Sequence, residues 1–516
     1  MPKEIDLKLL PEHAFDETII IERAAAMLHV SVSDISALRY LKRSIDARKK
    51  PHVFYVLKIL VFINEAVTED DFDNGFAKEP FKENESIVII GFGPAGMFAA
   101  LQLIEKGIKP IVFERGKSVR DRRRDLAQLN KSLSVNPESN YCFGEGGAGT
   151  YSDGKLYTRS KKRGNIKKVL HCLVNHGASQ DILINAHPHI GTNKLPQIVE
   201  NIRETILTAG GEVHFNSKMT DMQIVNGKIT SITINAQKQV PVSQLILATG
   251  HSARDVFELL NDKKINIESK PFALGVRIEH PQSVIDQIQY GRNDRGEYLP
   301  PASYTLVTQA AGNGVFSFCM CPGGIIAPAA TNANEVVVNG WSPSKRNGFF
   351  ANSGMVVTVN PEHWQKQFGN HALSALNFQK EVEHKAYLQS NSIVAPAQRM
   401  DDFIRNSASR SLPECSYLPG LVTADLRSIL PPFISQSLAE GLSHFGQSLK
   451  GYRTNEAVLV GVESRTSSPV RIPRDKETLN HAEISNLFPC GEGAGYAGGI
   501  MSAALDGMAC ALATIA

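Results

Sequence analysis

Apolar positions along the chain fall into short runs that end in glycine and longer stretches at helical spacing. Residues 87–90 are all aliphatic and run into Gly91, Gly93 and Gly96; Met97, Phe98, Leu101 and Leu103 then recur at helical spacing. The pattern predicts a buried strand, a tight turn and a helix. Residues 110–113 predict a second strand, closed by Glu114. Residues 194–209 predict an amphipathic helix and 212–216 a strand. Residues 219–224 and 228–234 flank Asn226-Gly227, a dipeptide that accepts the left-handed conformations of a tight hairpin. Residues 245–248 predict a strand ending at Thr249-Gly250. At the far end, the apolar run 487–490 meets a glycine turn from Gly491 to Gly499. A helix of small and apolar residues follows over 500–513, broken by Asp506.

Two other regions follow different patterns. Residues 1–64 predict a small α+β unit, with a strand over 5–10, a helix over 16–28 and a short helix capped by Ser33. Strands over 44–48 and 53–63 are joined there by Lys49-Lys50-Pro51. The basic residues Arg43, Arg48, Lys49 and Lys50 read as a solvated hairpin end. Residues 65–85, rich in Asp, Glu, Asn and Lys, read as a linker. From 271 to about 460, β-like runs at 304–309, 315–320, 335–339 and 355–359 alternate with helical spacing over 364–389 and 435–449. This predicts a mixed α+β second domain on the substrate side.

Composition narrows the class. The chain has 516 residues, 42% hydrophobic and 21% charged, which fits two or three ordinary globular domains. A net charge of +3 points to neither nucleic acid nor a membrane surface. Residues 86–104 carry no charge and are long enough to span a bilayer, but three glycines and a proline at nucleotide-loop spacing argue against that. The first residues lack the basic head and apolar core of a secretory signal, and seven scattered cysteines form no disulfide framework, so a reducing cytoplasm is expected.

The chemistry sits in the glycine turns. Gly91 permits the turn out of the strand, Gly93 admits a pyrophosphate against the backbone, and Gly96 lets helix and strand approach. The helix then points its positive end at the phosphates. Glu114 is placed to accept from ribose hydroxyls. Of the basic run Arg115, Lys117, Arg120, Arg122, Arg123 and Arg124, one or two residues are expected on phosphate or ribose and the rest in solvent. The loop 143–156 has five glycines among small polar residues and offers main chain on which a flat ligand can lie. Glu492 is placed to bind a ribityl hydroxyl, with the helix after it facing a flavin's pyrimidine edge. Cys319 and Cys321 lack a second ligand pair for a metal, and read as a packed pair sharing one strand face. Arg465, Arg471, His251 and Arg254 are open between anion binding and internal salt bridges.

The segments GFGPAG with Glu114-Arg115, GEGGAGTYSDGKL, the run from Ala248 to Asp255, CMCPGG, RTSSPVR from Arg465 and GEGAGYAGGIMSAALDG together resemble FAD-dependent oxidoreductases of the glutathione-reductase superfamily, and most nearly the bacterial FAD-dependent dehydrogenases. The resemblance covers most of residues 86–516. It implies an α/β fold: a Rossmann-like FAD-binding domain over 86–265 and 466–516, an inserted mixed α+β domain over 266–465, and the small domain over 1–64. It implies FAD held by Gly91, Gly93, Pro94, Ala95, Gly96, Glu114, Arg115 and Arg122. Further contacts come from Gly147, Ala148, Gly149, Thr150, Ser152, Asp153, Gly154, Met219, Ala248, Thr249 and Gly250. The C-terminal turn adds Gly491, Glu492, Ala497, Gly498, Gly499, Ile500 and Met501. NAD(P)H is a candidate transient donor, because a second glycine motif for it is lacking in the sequence. The expected partner is a small organic substrate, with no membrane, no nucleic acid and no metal. No catalytic side chain is singled out. The alternative reading is a flavoprotein with structural or sensory FAD and a partner-docking N-terminal unit.

Overall fold

In the computed structural model, residues 2–66, 80–82, 85–158, 164–292 and 294–516 are described. The expected linker at 65–85 lies largely outside the described residues. Five parallel strands form one sheet, in the spatial order Leu487–Pro489, Leu245–Leu247, Ser86–Ile90, Lys109–Phe113, Glu212–His214. The first strand of this sheet in the chain lies at its centre and the chain winds outward on both sides. The crevice opens where the winding reverses, at the carboxyl ends of the neighbouring strands Ser86–Ile90 and Leu245–Leu247. The predicted hairpin is present as Met219–Val225 against Lys228–Ile234, with Asn226 and Gly227 at φ +51° and +71°.

Close backbone approach holds this domain together. The helix Pro94–Glu105 is buried on nearly every face and lies against the C-terminal helix Ile500–Ala513. A Cβ on Gly507 would stand 2.1 Å from the Ala95 carbonyl oxygen, and one on Gly96 would stand 2.0 Å from that of Gly91. Residues with side chains cannot bring these backbones so near. The 19 uncharged residues from 86 are therefore a strand and an interior helix. Among the described residues, no helix is long and apolar enough to cross a membrane.

The second domain is a seven-stranded sheet in the order Val307–Ala310, Asn313–Cys321, Phe350–Val359, Phe272–Pro281, Val458–Glu463, Ala395–Arg399, Leu421–Thr423. It is antiparallel except for its last pair. The helix expected over 364–389 is two helices, Pro361–Phe368 and Ser374–Tyr387, separated at Gly369 with φ +72°. The expected 335–339 strand lies at Val338–Trp341.

The N-terminal unit departs further from expectation. Ser31, not Ser33, opens a single turn, Val32–Asp34, where Asp34 accepts from the Ser31 N–H at 3.0 Å. The chain then enters a 15-residue strand, Ile35–Lys49, which pairs with His52–Ile63. Long-range pairing extends the strand well beyond the expected 44–48. The buried Leu57 and Ile59 share one apolar cluster with Leu274 and Val276 of the second domain. The basic hairpin is correspondingly tied down: Arg43 bonds Asp181 and Asn185, and Lys50 donates to the Ile288 carbonyl. Arg48, 87% exposed and paired with Asp46, and the exposed Lys49 match the solvated reading.

Gly507→Val would force the helices Pro94–Glu105 and Ile500–Ala513 apart. It is expected to cost at least 1–3 kcal/mol, the range for overpacking. Urea denaturation checks this, and a change under about 0.5 kcal/mol would contradict backbone-to-backbone packing.

Candidate functional site

The carboxyl edge of the parallel sheet faces the second domain across a cavity of about 1130 Å³. This exceeds the roughly 300–1,000 Å³ of ordinary small-ligand pockets. One end is lined by Gly91, Gly93, Pro94, Ala95, Glu114 and Arg115. The middle is lined by Gly147, Ala148, Gly149, Ser152, Asp153 and Gly154 from the glycine-rich loop, by Met219, and by Ala248, Thr249 and Gly250. Glu492, Ala497, Gly498, Gly499, Ile500 and Met501 line it from the C-terminal turn. Gly96, Arg122, Thr150 and Gly491 do not line it. Gly96 is spent on packing. Thr150 donates its hydroxyl to the Glu145 carbonyl at 2.7 Å, and Gly491 N–H donates to Asp506 at 2.8 Å.

Arg122 corrects the expectation for the basic run. It is wholly buried and donates to the Asn140 and Glu145 carbonyls at 2.8 and 2.9 Å, under the Tyr151 ring. Its task is to hold the glycine-rich loop. Arg115 stays on the cavity wall, bonded to Glu138 and Asp255 and lying over Phe143. Glu114 also lines the cavity, yet its carboxylate accepts from the N–H groups of Phe92, Gly116 and Gly144 at 2.8–2.9 Å. A carboxylate offers about four lone-pair sites, so about one remains for a ribose hydroxyl. The main work of Glu114 is to staple the backbone at Phe92, Gly116 and Gly144 at this end of the cavity.

The glycines divide by what a side chain would meet. On Gly91, at φ +99°, a Cβ would strike the Ala248 carbonyl oxygen at 2.5 Å. On Gly93 it would meet only the Gly147 Cα, at 3.8 Å, and on Gly250, Gly498 or Gly499 nothing within 4 Å. The first kind keeps the fold closed and the second keeps the cavity clear. His251 and Glu492 meet across the two turns at 3.4 Å.

Arg254 and Arg465 are both tied internally, and Arg465 also lines the cavity. Arg254 bonds Glu335 at 3.1 Å and Glu383 at 2.8 Å; Arg465 bonds Glu335 at 2.7 Å and Glu383 at 3.2 Å. All four are buried. Burial raises the Glu335 carboxyl, but the two guanidiniums overcome this and bring it down to about 2. Arg471 lies over the Tyr496 ring instead.

The sequence reading missed Lys155, Tyr304 and Arg346, which line the second-domain side. Lys155 closes the glycine-rich loop and was legible as its only cation. Tyr304 and Arg346 carried no local signal, because the second domain brings them there. Cys319 also lines the cavity while Cys321 is fully buried, and the two side chains stay in contact as the packed-pair reading expects. The strand is broken at Cys319 by φ +46°. The buried group Cys490, Asp506 and Cys510 has ligand atoms within 4.8 Å of one another, but Arg474 already bonds both Asp506 oxygens and the Cys510 sulfur.

A parallel sheet, two glycine turns and a second domain facing one cavity define a mixed α/β architecture. Residues 271–466 match the family model "FAD-dependent protein, C-terminal domain-like", and residues 1–62 match a "Domain of unknown function (DUF8436)". The chain belongs to the same family as an uncharacterized protein of Clostridium beijerinckii, 41% identical over 511 residues, 96% of this chain and 95% of that one. Among solved structures it is similar to CtdE in complex with FAD, at 11% identity and TM-score 0.31 over 83% of this chain and 84% of that one. It is also similar to a geranylgeranyl bacteriochlorophyll reductase-like protein of Thermoplasma acidophilum, at 15% identity and TM-score 0.34 over 83% and 78%.

Arg465→Met would leave two buried carboxylates short of a partner. A loss of about 3–5 kcal/mol is expected at pH 7. The Glu335 carboxyl lies lower in the folded chain than its ordinary 4.5, so its contribution is complete above that value and fades as pH falls toward 2. The deficit of the variant should therefore shrink in acid. Denaturation at pH 7 and pH 3.5 checks this; an equal deficit at both would contradict it.

Proposed function

We propose that the chain is an FAD-dependent oxidoreductase that moves a hydride or electrons between FAD and a small organic substrate bound between the two domains. The observation that carries this reading is the pair of glycine turns facing one cavity with clear space in front of Gly93, Gly250, Gly498 and Gly499. That cradle fits an extended dinucleotide. Gly93 and Ala95 would take the pyrophosphate at the start of the helix Pro94–Glu105. Arg115 and the remaining acceptor site of Glu114 would hold the adenosine end. The flavin ring would lie between the 147–154 loop and the turn ending at Gly499, where the helix Ile500–Ala513 begins. Bound FAD supplies the redox chemistry itself. The chain's residues hold and orient it: the start of that helix favours negative charge developing on the ring, and Glu492 with His251 closes the ribityl side. The substrate side is the second-domain wall with Tyr304, Asn339 and Cys319.

Absorbance of the purified protein tests the cofactor, with bands expected near about 370 and 450 nm from the flavin itself. Anaerobic NADH and then NADPH test the donor, and bleaching by one names it. Gly93→Val is expected to lose the flavin while keeping the unfolding midpoint of the flavin-free wild type, since the added Cβ meets only the Gly147 Cα, at the ordinary contact distance of 3.8 Å. A yellow variant with stoichiometric FAD would overturn the placement of the pyrophosphate. A colourless wild-type protein that takes up no added FAD would overturn the function.

A further inference from the structure

Three segments meet along one stretch of the cavity wall, two from the domain of the parallel sheet and one from the second domain. Residues 153–156 run antiparallel to 188–191: the Gly191 N–H donates to the Asp153 carbonyl at 3.1 Å and the Leu156 N–H to that of Pro188 at 2.9 Å. Residues 342–346 of the second domain close on the same strip. The Thr192 N–H donates to the Ser342 carbonyl at 3.0 Å, and His189 Nε2 donates to that of Ser344 at 3.1 Å. A Cβ on Gly191 would stand 2.2 Å from the Ser344 nitrogen, and one on Gly323 would stand 1.7 Å from the Arg346 carbonyl oxygen. Arg346 sits in this wedge at φ +49°. Left-handed backbone at a residue with a side chain persists where the surroundings enforce it, so the Arg346 side chain is aimed from a fixed base.

The charges on this stretch do not balance. Arg346 and Lys155 share one carboxylate, Asp153, at 2.7 and 3.6 Å. Burial raises the Asp153 carboxyl, but Lys155 and Arg346 overcome this and hold it below its ordinary value. His187 and His189 on the neighbouring segment are held toward their neutral forms by burial and by nearby cations. Arg277, behind the wall, has its own partner in Glu463 at 2.7 Å. Among the described residues lining the cavity, the other carboxylates are Glu114, bonded to three backbone N–H groups, and Glu492, which meets His251. One positive charge is left over, and donors are left over with it. A guanidinium carries five N–H groups; Asp153 takes one from Arg346, whose Nε is buried without an acceptor. The Lys155 ammonium carries three, of which one goes to the Met320 carbonyl and one faces Asp153. Both side chains line the cavity, that of Lys155 at 37% exposure.

We propose that the substrate is a monocarboxylate whose carboxylate is held by Arg346 and Lys155. The surplus of one charge matches a carboxylate; a phosphate monoester carries about −1.5 to −2 at pH 7 and would overshoot it. The planar fork of an arginine also matches the two oxygens of a carboxylate. Met320, whose carbonyl Lys155 bonds, and Pro322, next to Gly323, line the wall beside the two cations, so the body of the substrate meets apolar surface. The proposal rests on the reading of this wall as the substrate side and adds the charge of the substrate to it.

Calorimetric titration of the purified full-length protein, with FAD added, tests this. The probes are benzoate and phenylacetate, each against its neutral amide, and phenyl phosphate. A carboxylate is expected to bind about 10-fold or more tightly than its amide, the worth of hydrogen bonds between charged groups. Its binding is expected to weaken as salt rises from about 0.05 to about 0.5 M, while that of the amide holds. Arg346→Met is expected to bring the carboxylate down to the level of its amide, and Arg346→Lys to keep part of the preference. Equal binding of carboxylate and amide, no binding of either carboxylate, tighter binding of phenyl phosphate, or an unchanged preference in a folded Arg346→Met protein overturns the proposal. The wild-type comparison decides this even if an Arg346 variant fails to fold. The redox reading fails separately, in a protein that takes up no FAD; a carboxylate preference that Arg346→Met abolishes in that flavin-free protein sustains the carboxylate site on its own.

Discussion

Two arginines and two glutamates, buried together, fix how the domains face each other. Arg254 begins the helix that follows the fourth parallel strand; Glu335 and Glu383 belong to the second domain; Arg465 lies where the chain leaves it. The cluster is neutral in sum, and each carboxylate meets both guanidiniums. Such a cluster adds little net stability over an apolar substitute, since desolvation offsets the attraction. Its force lies in what it forbids. Sliding one domain over the other would strand an unpaired charge in the interior, so one orientation is selected. The width of the cavity follows from that orientation.

Within that frame, backbone contact shapes the cavity. Gly507 lets the two helices Pro94–Glu105 and Ile500–Ala513 touch main chain to main chain, which draws the C-terminal turn up beside the first one, and Gly96 closes that first turn on Gly91. Glu114 and Arg122, both buried, then tie down the loops at one end of the cavity through backbone groups. Side chains that seemed destined for a ligand are used as staples. The ligand is left a wall of main chain and small residues, suited to an extended, flat molecule.

The N-terminal unit belongs to the same economy of surface. Its sheet buries one face against the second domain, sharing a single apolar cluster with it. Leu57 and Ile59 show why a reading by periodicity stops short: alternation marks the buried face of a strand but does not say what covers it. The same limit separated the helix at 361–387 into two, because a glycine at φ +72° ends one helix and the packing of the next decides where it starts.

The sequence by itself determined the doubly wound sheet, its two glycine turns, the Asn226-Gly227 hairpin and the residues of the glycine-rich loop. These are local: a strand, a turn and a helix are specified by neighbours a few residues apart. Only the tertiary structure decided that Arg122 is a loop staple, that Arg254 and Arg465 are a domain clamp, that Lys155 and Arg346 face the cavity, and that Cys319 lines the cavity while Cys321 is buried. Each depends on partners tens to hundreds of residues distant. A charge written in sequence looks the same whether it will meet solvent, a ligand or another buried charge, and only the fold brings up the partner that chooses among them.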